Sequence, residues 1–276
     1  MDAGLNIASI CIHKGEEPPI SGPDGICNIF FAGCNLSCIY CQNHDISKPD
    51  VNFQVRPASF ESTLDRIEEI LSTGIKAIGF VSPSHVVPQV KAIIRGLYNR
   101  GLKPVTVYNT NGYDKAEVIE SLEGMIDVYL PDYKYITPGV SLSYSDAGDY
   151  PEIVLRALKK MYWQKGSTLR MDDQGRAEAG LLIRHLVLPG HADESIKVLK
   201  SIAEELSTGV NISLMSQYHP VAGVTDHLTL NRPLYREEYE SVADAMEEMG
   251  FRNGWIQDMD SYLNYRPDFR KDNPFE

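Results

Sequence analysis

Three of the five cysteines in the chain lie close together in the sequence. Cys34, Cys38 and Cys41 have the spacing C-x3-C-x2-C, directly after a short apolar run. Three thiolates at this spacing are typical of a cubane iron–sulfur cluster. Because such a cluster usually takes four cysteines, a missing fourth leaves one iron open to another ligand. The sequence therefore predicts a [4Fe–4S] cluster with one open coordination position.

Two other interpretations of the three cysteines stay open on residue types alone. A zinc site would need a fourth ligand, which His44 could supply, although structural zinc modules usually pair two separated knuckles and the sequence offers one. A thioredoxin-like pair of Cys38 and Cys41 would leave Cys34 unexplained. Either site would make the chain a structural or redox module.

Charge and composition exclude several classes of protein. The 276 residues include 26 basic and 38 acidic ones, a net charge of −12, which disfavours nucleic acid or an anionic membrane as partner. No apolar run approaches the roughly 20 residues of a membrane-spanning helix, and the first residues lack the features of a secretory signal. A cytoplasmic location is expected. Cys11 and Cys27 are expected to pack as small apolar side chains.

The elements that must position the cysteines alternate between short apolar runs and longer helical patterns. The predicted strands are Ile26–Phe31, Ala77–Val81, Pro104–Tyr108, Ile126–Leu130, Leu181–Leu188, Val210–Leu214 and Gly254–Ile256. The predicted helices are Phe60–Ser72, Val86–Arg100, Tyr113–Glu123, Glu152–Lys165, Glu194–Leu206 and Tyr235–Met249. Repeated strand-then-helix units predict an α/β fold with a parallel sheet, either a barrel or partial barrel or an open doubly wound sheet.

Three segments stand outside this alternation. Tyr135–Tyr150 is rich in Ser, Gly, Pro, Asp and Tyr, which predicts an ordered loop over one end of the sheet, with a substrate lid as the alternative. Residues 170–177 predict a small hairpin with a glycine turn. The polar tail at 266–276 is expected to be mobile or draped over the surface. The whole chain, 1–276, is expected to form one domain with an N-terminal extension at 1–25.

Polar side chains recur where the predicted parallel strands end. In β/α barrels catalytic groups gather at the carboxyl ends of the strands, so these side chains are expected to share a site. Arg184 lies in its strand with the adjacent His185 facing the other way. The polar groups are Ser82–His85, Asn109–Gly112, Asp132–Lys134, Gln217–His219 and Gln257–Asp258.

With Tyr40 at the aromatic position of C-x3-C-x-aromatic-C, the chain resembles the radical S-adenosylmethionine (radical SAM) superfamily. The resemblance implies a partial (β/α)6-type barrel with parallel strands and outer helices. It also implies that SAM binds the open iron. Reductive cleavage of SAM, with electrons from a donor such as flavodoxin or ferredoxin, would yield a 5′-deoxyadenosyl radical that abstracts hydrogen.

Over most of its length the chain is also similar to the pyruvate formate-lyase activating enzyme group. The similarity rests on N-x-N-G-Y, D-x-K-Y, R-H-L-V-L-P-G and W-I-Q, which here are Asn109–Tyr113, Asp132–Tyr135, Arg184–Gly190 and Trp255–Gln257. By this resemblance Lys134, Arg184 and His219 would contact SAM. Asp132, with Asn109 and Thr110, would occupy the position of a monovalent cation site. Ser82 stands where the superfamily has a Gly-Gly-Glu element that grips the SAM amino group.

The resemblance favours an oxidoreductase that abstracts hydrogen from a protein glycine, as an activase does. Radical modification of a small molecule or peptide is the alternative within the superfamily. A structural metal-binding module is the alternative from another class of protein.

Overall fold

A computed structural model describes residues 4–49, 58–259, 267–271 and 273–275, and these form one nine-stranded sheet with nine α-helices. The strands are β1 (Ile7–His13), β2 (Ile26–Phe31), β3 (Ala77–Val81), β4 (Val105–Thr110), β5 (Val128–Pro131), β6 (Arg170–Met171), β7 (Ala177–Leu186), β8 (Asn211–Met215) and β9 (Gly254–Ile256). The helices are α1 (Pro18–Ser21), α2 (His44–Ser47), α3 (Phe60–Ser72), α4 (Val87–Asn99), α5 (Ala116–Glu120), α6 (Pro138–Ser145), α7 (Tyr150–Lys165), α8 (Ala192–Glu205) and α9 (Arg236–Glu248).

The order of the strands identifies the sheet as a partial barrel. The neighbours run β1-β2-β3-β4-β5-β7-β8-β9, and β6 pairs with β7 outside this path. From β2 to β9 along that path every pair is parallel, whereas β1 is antiparallel to β2. A doubly wound sheet would reverse its order at a switch point, and this sheet does not. The predicted α/β fold with a partial barrel is confirmed.

Helix α3 illustrates how the outer helices form. Ser59 precedes it, and the Ser59 hydroxyl accepts a hydrogen bond from the backbone N–H of Ser62 at 3.1 Å, which satisfies one free donor of the first turn. Leu64, Ile67 and Ile70 are buried at helical spacing and face the sheet. The seven predicted parallel strands and six predicted helices all occur, with ends shifted by a few residues.

Side chains of the parallel strands alternate between two environments, as the two-residue period of a strand requires. Outward residues pack under the helices, as Tyr108 and Tyr129 do. Inward residues at the amino ends of the strands form a separate apolar cluster, in which Ile26, Val107 and Leu182 take part. This cluster fills the barrel at the amino ends of the strands, so a site inside the barrel is confined to the carboxyl ends.

The segment 135–150 differs from its predicted loop because it contains α6. Its residues have modest helix propensity, but Pro138 is suited to the first helical position. The carboxylate of Glu194, in α8, accepts hydrogen bonds from the backbone N–H groups of Ile136 at 2.8 Å and Thr137 at 2.6 Å. A contact from another part of the chain therefore fixes where this helix begins.

The tail was expected to be mobile or draped over the surface, and its described part corresponds to the second of these, because it packs against the barrel. Phe269 is buried beside Phe30 of β2, and the Phe275 ring stacks on His13 of β1 with the ring centroids 3.8 Å apart. Residues 266, 272 and 276 lie outside the described residues. Within the part of the chain that the structure describes, no helix is both long and apolar enough to cross a bilayer.

Candidate functional site

A cavity of about 210 Å³ opens at the carboxyl ends of the parallel strands. It is lined by the segment that carries the three cysteines, by inward residues of the strands, by residues 13–17 and by the described tail. The predicted site residues that line it are Cys34, Cys38, Tyr40, Cys41, Ser82, Asn109, Asp132, Lys134 and Arg184. Most of the residues singled out in the sequence therefore meet in one place.

Thr110 and His219 do not line this cavity. Thr110 follows Asn109 in β4, so its side chain faces the opposite side of the sheet, where its hydroxyl donates to the carboxylate of Asp114. His219 lies beyond the end of β8 and its side chain is half-buried outside the cavity lining. The structure thus separates the Thr110 side chain from Asp132, with which a cation site had been expected.

Each of the three cysteine sulfurs accepts a hydrogen bond. The Asn111 amide, in the loop after β4, donates to Cys34 Sγ at 3.4 Å, and the Ser145 hydroxyl donates to Cys38 Sγ at 3.0 Å. The Ser47 hydroxyl donates to Cys41 Sγ at 3.4 Å. Hydrogen bonds to sulfur are one of the means by which proteins tune iron–sulfur clusters.

Helix α6 supports the backbone of the cysteine segment. The N–H of Ser37 donates to the carbonyl of Ser145 at 3.0 Å, and the N–H of Ile39 donates to the carbonyl of Tyr144 at 2.9 Å. The α6 residues Tyr144 and Ser145 are themselves buried. The segment 135–150 is therefore fixed against the cysteine segment and does not form a lid over the cavity.

Tyr40 is held in position by the same part of the fold. Its hydroxyl pairs with that of Tyr135, and the Tyr135 hydroxyl lies 2.8 Å from Ser145 Oγ. Burial raises the pKa of both phenols well above their ordinary value. The two tyrosines are thus neutral hydrogen-bonding groups that connect the aromatic position of the motif to the residue that contacts Cys38.

Among the described residues that line the cavity, Cys34, Cys38 and Cys41 are the only cysteines. In the described ranges, no group of three or more His, Cys, Asp or Glu side chains is arranged to hold one metal ion. Cys27 faces the outer helices and Cys11 is buried on β1 beside Phe30, so neither offers a fourth thiolate. Burial raises the pKa of Cys38 to about 11, and a bound cationic centre would reverse this by favouring the thiolate.

A network of charged groups lies next to the cysteines. Asp132 Oδ2 is 2.6 Å from Lys134 Nζ, and Asp132 Oδ1 accepts a hydrogen bond from Arg184 Nε at 2.9 Å. Burial raises the pKa of the Asp132 carboxyl, but Arg184 and Lys134 more than offset it, so that pKa lies below its ordinary value. Arg184 Nη2 also donates to Asn109 Oδ1 at 2.6 Å. Two cations are thus held around one carboxylate.

Sequence reasoning missed two acidic residues of the cavity, Glu16 and Glu17. Glu16 accepts hydrogen bonds from Asn28 at 2.9 Å, Asn109 at 3.1 Å and Arg184 at 3.4 Å. Burial alone would raise the pKa of Glu16, but His13, Arg184 and Asn28 together hold it well below its ordinary range. The only sequence signal was an acidic pair before Pro18, in a segment without periodicity.

Glu17 has a different environment. Burial raises the pKa of Glu17 to about 7, partly offset by Arg184 and reinforced by Glu16. Its Oε1 lies 3.9 Å from Arg184 Nε, and its Oε2 is buried without a hydrogen-bond partner among the described residues. The cavity therefore contains one carboxylate that is incompletely satisfied.

Comparisons with known proteins agree with the iron–sulfur interpretation. Residues 20–136 match the family described as a 4Fe-4S single cluster domain. The chain is 27% identical over 245 residues to an uncharacterized protein of Methanocaldococcus jannaschii, covering 86% of this chain and 65% of that protein.

Two solved structures share the fold. SuiB of Streptococcus suis bound to S-adenosylmethionine superposes with a TM-score of 0.55 and 13% identity, over 84% of this chain and 50% of that one. The protein anSMEcpe with bound AdoMet has a TM-score of 0.50 and 16% identity, over 87% of this chain and 62% of that one. The chain thus spans between half and two thirds of the length of these proteins.

Proposed function

We propose that the chain is a radical SAM enzyme that cleaves SAM reductively at a [4Fe–4S] cluster. Its cysteine motif, its partial barrel and the match of residues 20–136 to a 4Fe-4S single cluster domain support this proposal. Cys34, Cys38 and Cys41 would hold the cluster. When bound, cluster and SAM would supply, on one-electron reduction that cleaves SAM and releases methionine, a 5′-deoxyadenosyl radical able to abstract hydrogen from substrate. The observation that carries the proposal is the position of three hydrogen-bonded thiols at a cavity with two half-buried cations, Lys134 and Arg184.

The residues of the cavity have separate tasks in this proposal. Lys134, held by Asp132, would bind the carboxylate of SAM through a charge-assisted hydrogen bond. Ser82 lines the cavity, and its backbone is held in place because its N–H donates to the Asn109 carbonyl at 2.8 Å. Its hydroxyl oxygen would accept a hydrogen bond from the SAM amino group. Arg184 would keep Asp132, Glu16 and Asn109 in place as well as contribute positive charge.

For the substrate, the first candidate is a glycine in a protein, as the similarity to activating enzymes implies. A solved structure of SuiB is bound to its precursor peptide SuiA, and a peptide-like substrate for this chain is consistent with that neighbour. The second candidate is a small molecule. It is favoured by the tail residues Pro267 and Phe275, which line part of the cavity, because a wall at this position helps to exclude water from a reactive radical.

The proposed reaction needs a reductant, and a reduced flavodoxin or ferredoxin of the cytoplasm is the expected donor. In vitro, dithionite replaces it. Anaerobically reconstituted protein should bind about four irons and four sulfides and should form 5′-deoxyadenosine from SAM, measured by liquid chromatography and mass spectrometry.

Cysteine variants test the proposed ligands. Replacing Cys34, Cys38 or Cys41 by Ala should remove most of the iron and abolish 5′-deoxyadenosine formation. Cys11→Ala is the matched control, because Cys11 is buried and does not line the cavity. This variant should retain both the iron and 5′-deoxyadenosine formation. Stoichiometric zinc in iron-replete preparations, without charge-transfer absorbance, would overturn the proposal.

A further inference from the structure

Glu17 is the most unusual polar group of the cavity. Its side chain is 5% exposed, and Oε2 makes no hydrogen bond to any described residue. A buried carboxylate oxygen left unpaired is costly, so native structures rarely contain one without a reason. The side chain of Ser213 lies beside Glu17 and is also buried.

The charges around the cavity do not balance. At pH 8, which is above the pKa of about 7 of Glu17, the described lining residues include three carboxylates, on Glu16, Glu17 and Asp132, and two permanent cations, on Lys134 and Arg184. Asp132 contacts both cations, and Glu16 accepts from Arg184 and two amides. Glu17 has one long ion-pair contact, to Arg184, and the Ser213 hydroxyl as its polar neighbour. A ligand that brings a positive charge and N–H donors would satisfy Glu17 in both respects.

The register of β7 and β8 shows how such a ligand would lie. Arg184 pairs with Ser213, and two residues further along the same faces Leu186 pairs with Met215. Because residues two apart share a face, the interior has a polar layer near Glu17 and an apolar layer nearer the carboxyl ends. Leu186 and Met215 both line the cavity, as does Phe30 opposite them.

We propose that this cavity binds the substrate through a protonated aliphatic amine, with Glu17 accepting the ammonium N–H and the apolar body resting on Leu186 and Met215. The proposal rests on the proposed function and names the chemical class of its substrate. The amine would be that of a small molecule or of a lysine side chain, and both contain the same recognised group. The amino group of SAM is the competing source of the same chemistry.

The experiment uses the anaerobically reconstituted full chain with 3-methylbutylamine as the probe, at pH 8. The matched neutral probe is 3-methylbutanol, which has the same apolar body without the charge. We expect the amine, and not the alcohol, to raise the midpoint of thermal unfolding and to bind by calorimetry. This comparison requires no variant. Equal binding of the two probes, or binding of neither, would overturn the proposal.

Variants then locate the binding group. Glu17→Gln keeps the shape and removes the charge, and it should weaken amine binding at least tenfold while leaving SAM affinity within twofold. Glu123→Gln removes a charge from an exposed position. It should change neither amine binding nor SAM affinity. A tenfold loss of SAM affinity in Glu17→Gln, with amine binding unchanged, would assign the carboxylate to SAM and overturn the proposal. Formation of 5′-deoxyadenosine by the wild type tests the proposed function separately.

Discussion

The hydroxyl of Ser145 lies 3.0 Å from the sulfur of Cys38, and it donates its hydrogen bond across 107 residues of sequence. The carbonyl of Ser145 also accepts the N–H of Ser37. One residue of α6 therefore positions both a sulfur and the backbone beside it. Second-sphere contacts of this kind orient metal ligands and tune the metal.

Ser145→Ala should lower the reduction potential of the cluster without removing it. A hydrogen bond to sulfur stabilises the reduced, more negative form, so its loss disfavours reduction. The measurement is a redox titration followed by electron paramagnetic resonance, with iron content checked in parallel. Ser143→Ala, at an exposed position of the same helix, is the control and should leave the potential unchanged. An unaltered potential in Ser145→Ala would show that this contact does not tune the cluster.

Glu194→Ala should destabilise the protein and loosen α6. The carboxylate accepts from two backbone N–H groups and from the Thr137 hydroxyl at 2.6 Å, and losing hydrogen bonds to a charged group costs about 2 kcal/mol. Urea unfolding measures the loss, and hydrogen exchange should show faster exchange in 138–145. Glu204→Ala, which removes an exposed ion pair with Lys200 on the same helix, should cost less than about 0.5 kcal/mol. Equal effects of the two variants would contradict the anchoring role.

The alternation of strand residues explains which parts of the site were predictable. Asn109, Asp132 and Arg184 could be placed together because each is an inward residue near the end of a parallel strand. The same alternation excludes the Thr110 side chain from the cavity, since adjacent residues of a strand face opposite sides of the sheet. The cysteine spacing is local in the sequence, so it needed no tertiary information.

The features that were missed depend on contacts between distant segments. Glu16 and Glu17 reach the cavity because β1 adds to the edge of β2, and no local pattern encodes that pairing. Helix α6 begins where Glu194 accepts its first N–H groups. The tail is polar on average, and its burial depends on Phe269 and Phe275 finding an apolar surface on β2 and β1.

Lys134→Ala and Arg184→Ala both remove a cation from the cavity, but we expect only Arg184→Ala to destabilise the fold strongly. Arg184 donates hydrogen bonds to three groups, so its removal leaves the half-buried carboxylates of Asp132 and Glu16 with less compensation. The expected cost is about 3–5 kcal/mol of unfolding free energy. Lys134 contacts Asp132, which keeps Arg184 as a partner in its absence, so that variant should stay folded.

Lys134→Ala is therefore the variant that tests SAM binding. Loss of one charge-assisted hydrogen bond of about 1.5–3 kcal/mol should weaken SAM affinity by about tenfold to a hundredfold. Calorimetry on the reconstituted protein measures the affinity, and urea unfolding checks both variants. Unchanged SAM affinity in Lys134→Ala would show that the carboxylate of SAM binds elsewhere, and an undiminished stability of Arg184→Ala would contradict the pairing described for Asp132 and Glu16.

The pH dependence of stability should distinguish Glu17→Gln from the wild type. Burial raises the pKa of Glu17 from 4.5 to about 7 in the folded state, so between these values the folded chain retains a proton that the unfolded chain has lost. Wild-type stability therefore falls relative to Glu17→Gln as the pH rises from about 4.5 to 7, and the difference levels off above pH 7. A shift of this size corresponds to a change on the order of 3 kcal/mol. Urea unfolding of both proteins from pH 5 to pH 8 measures the difference, and Glu123→Gln should parallel the wild type. A difference that does not vary with pH would mean that Glu17 ionises as readily in the folded chain as in the unfolded one.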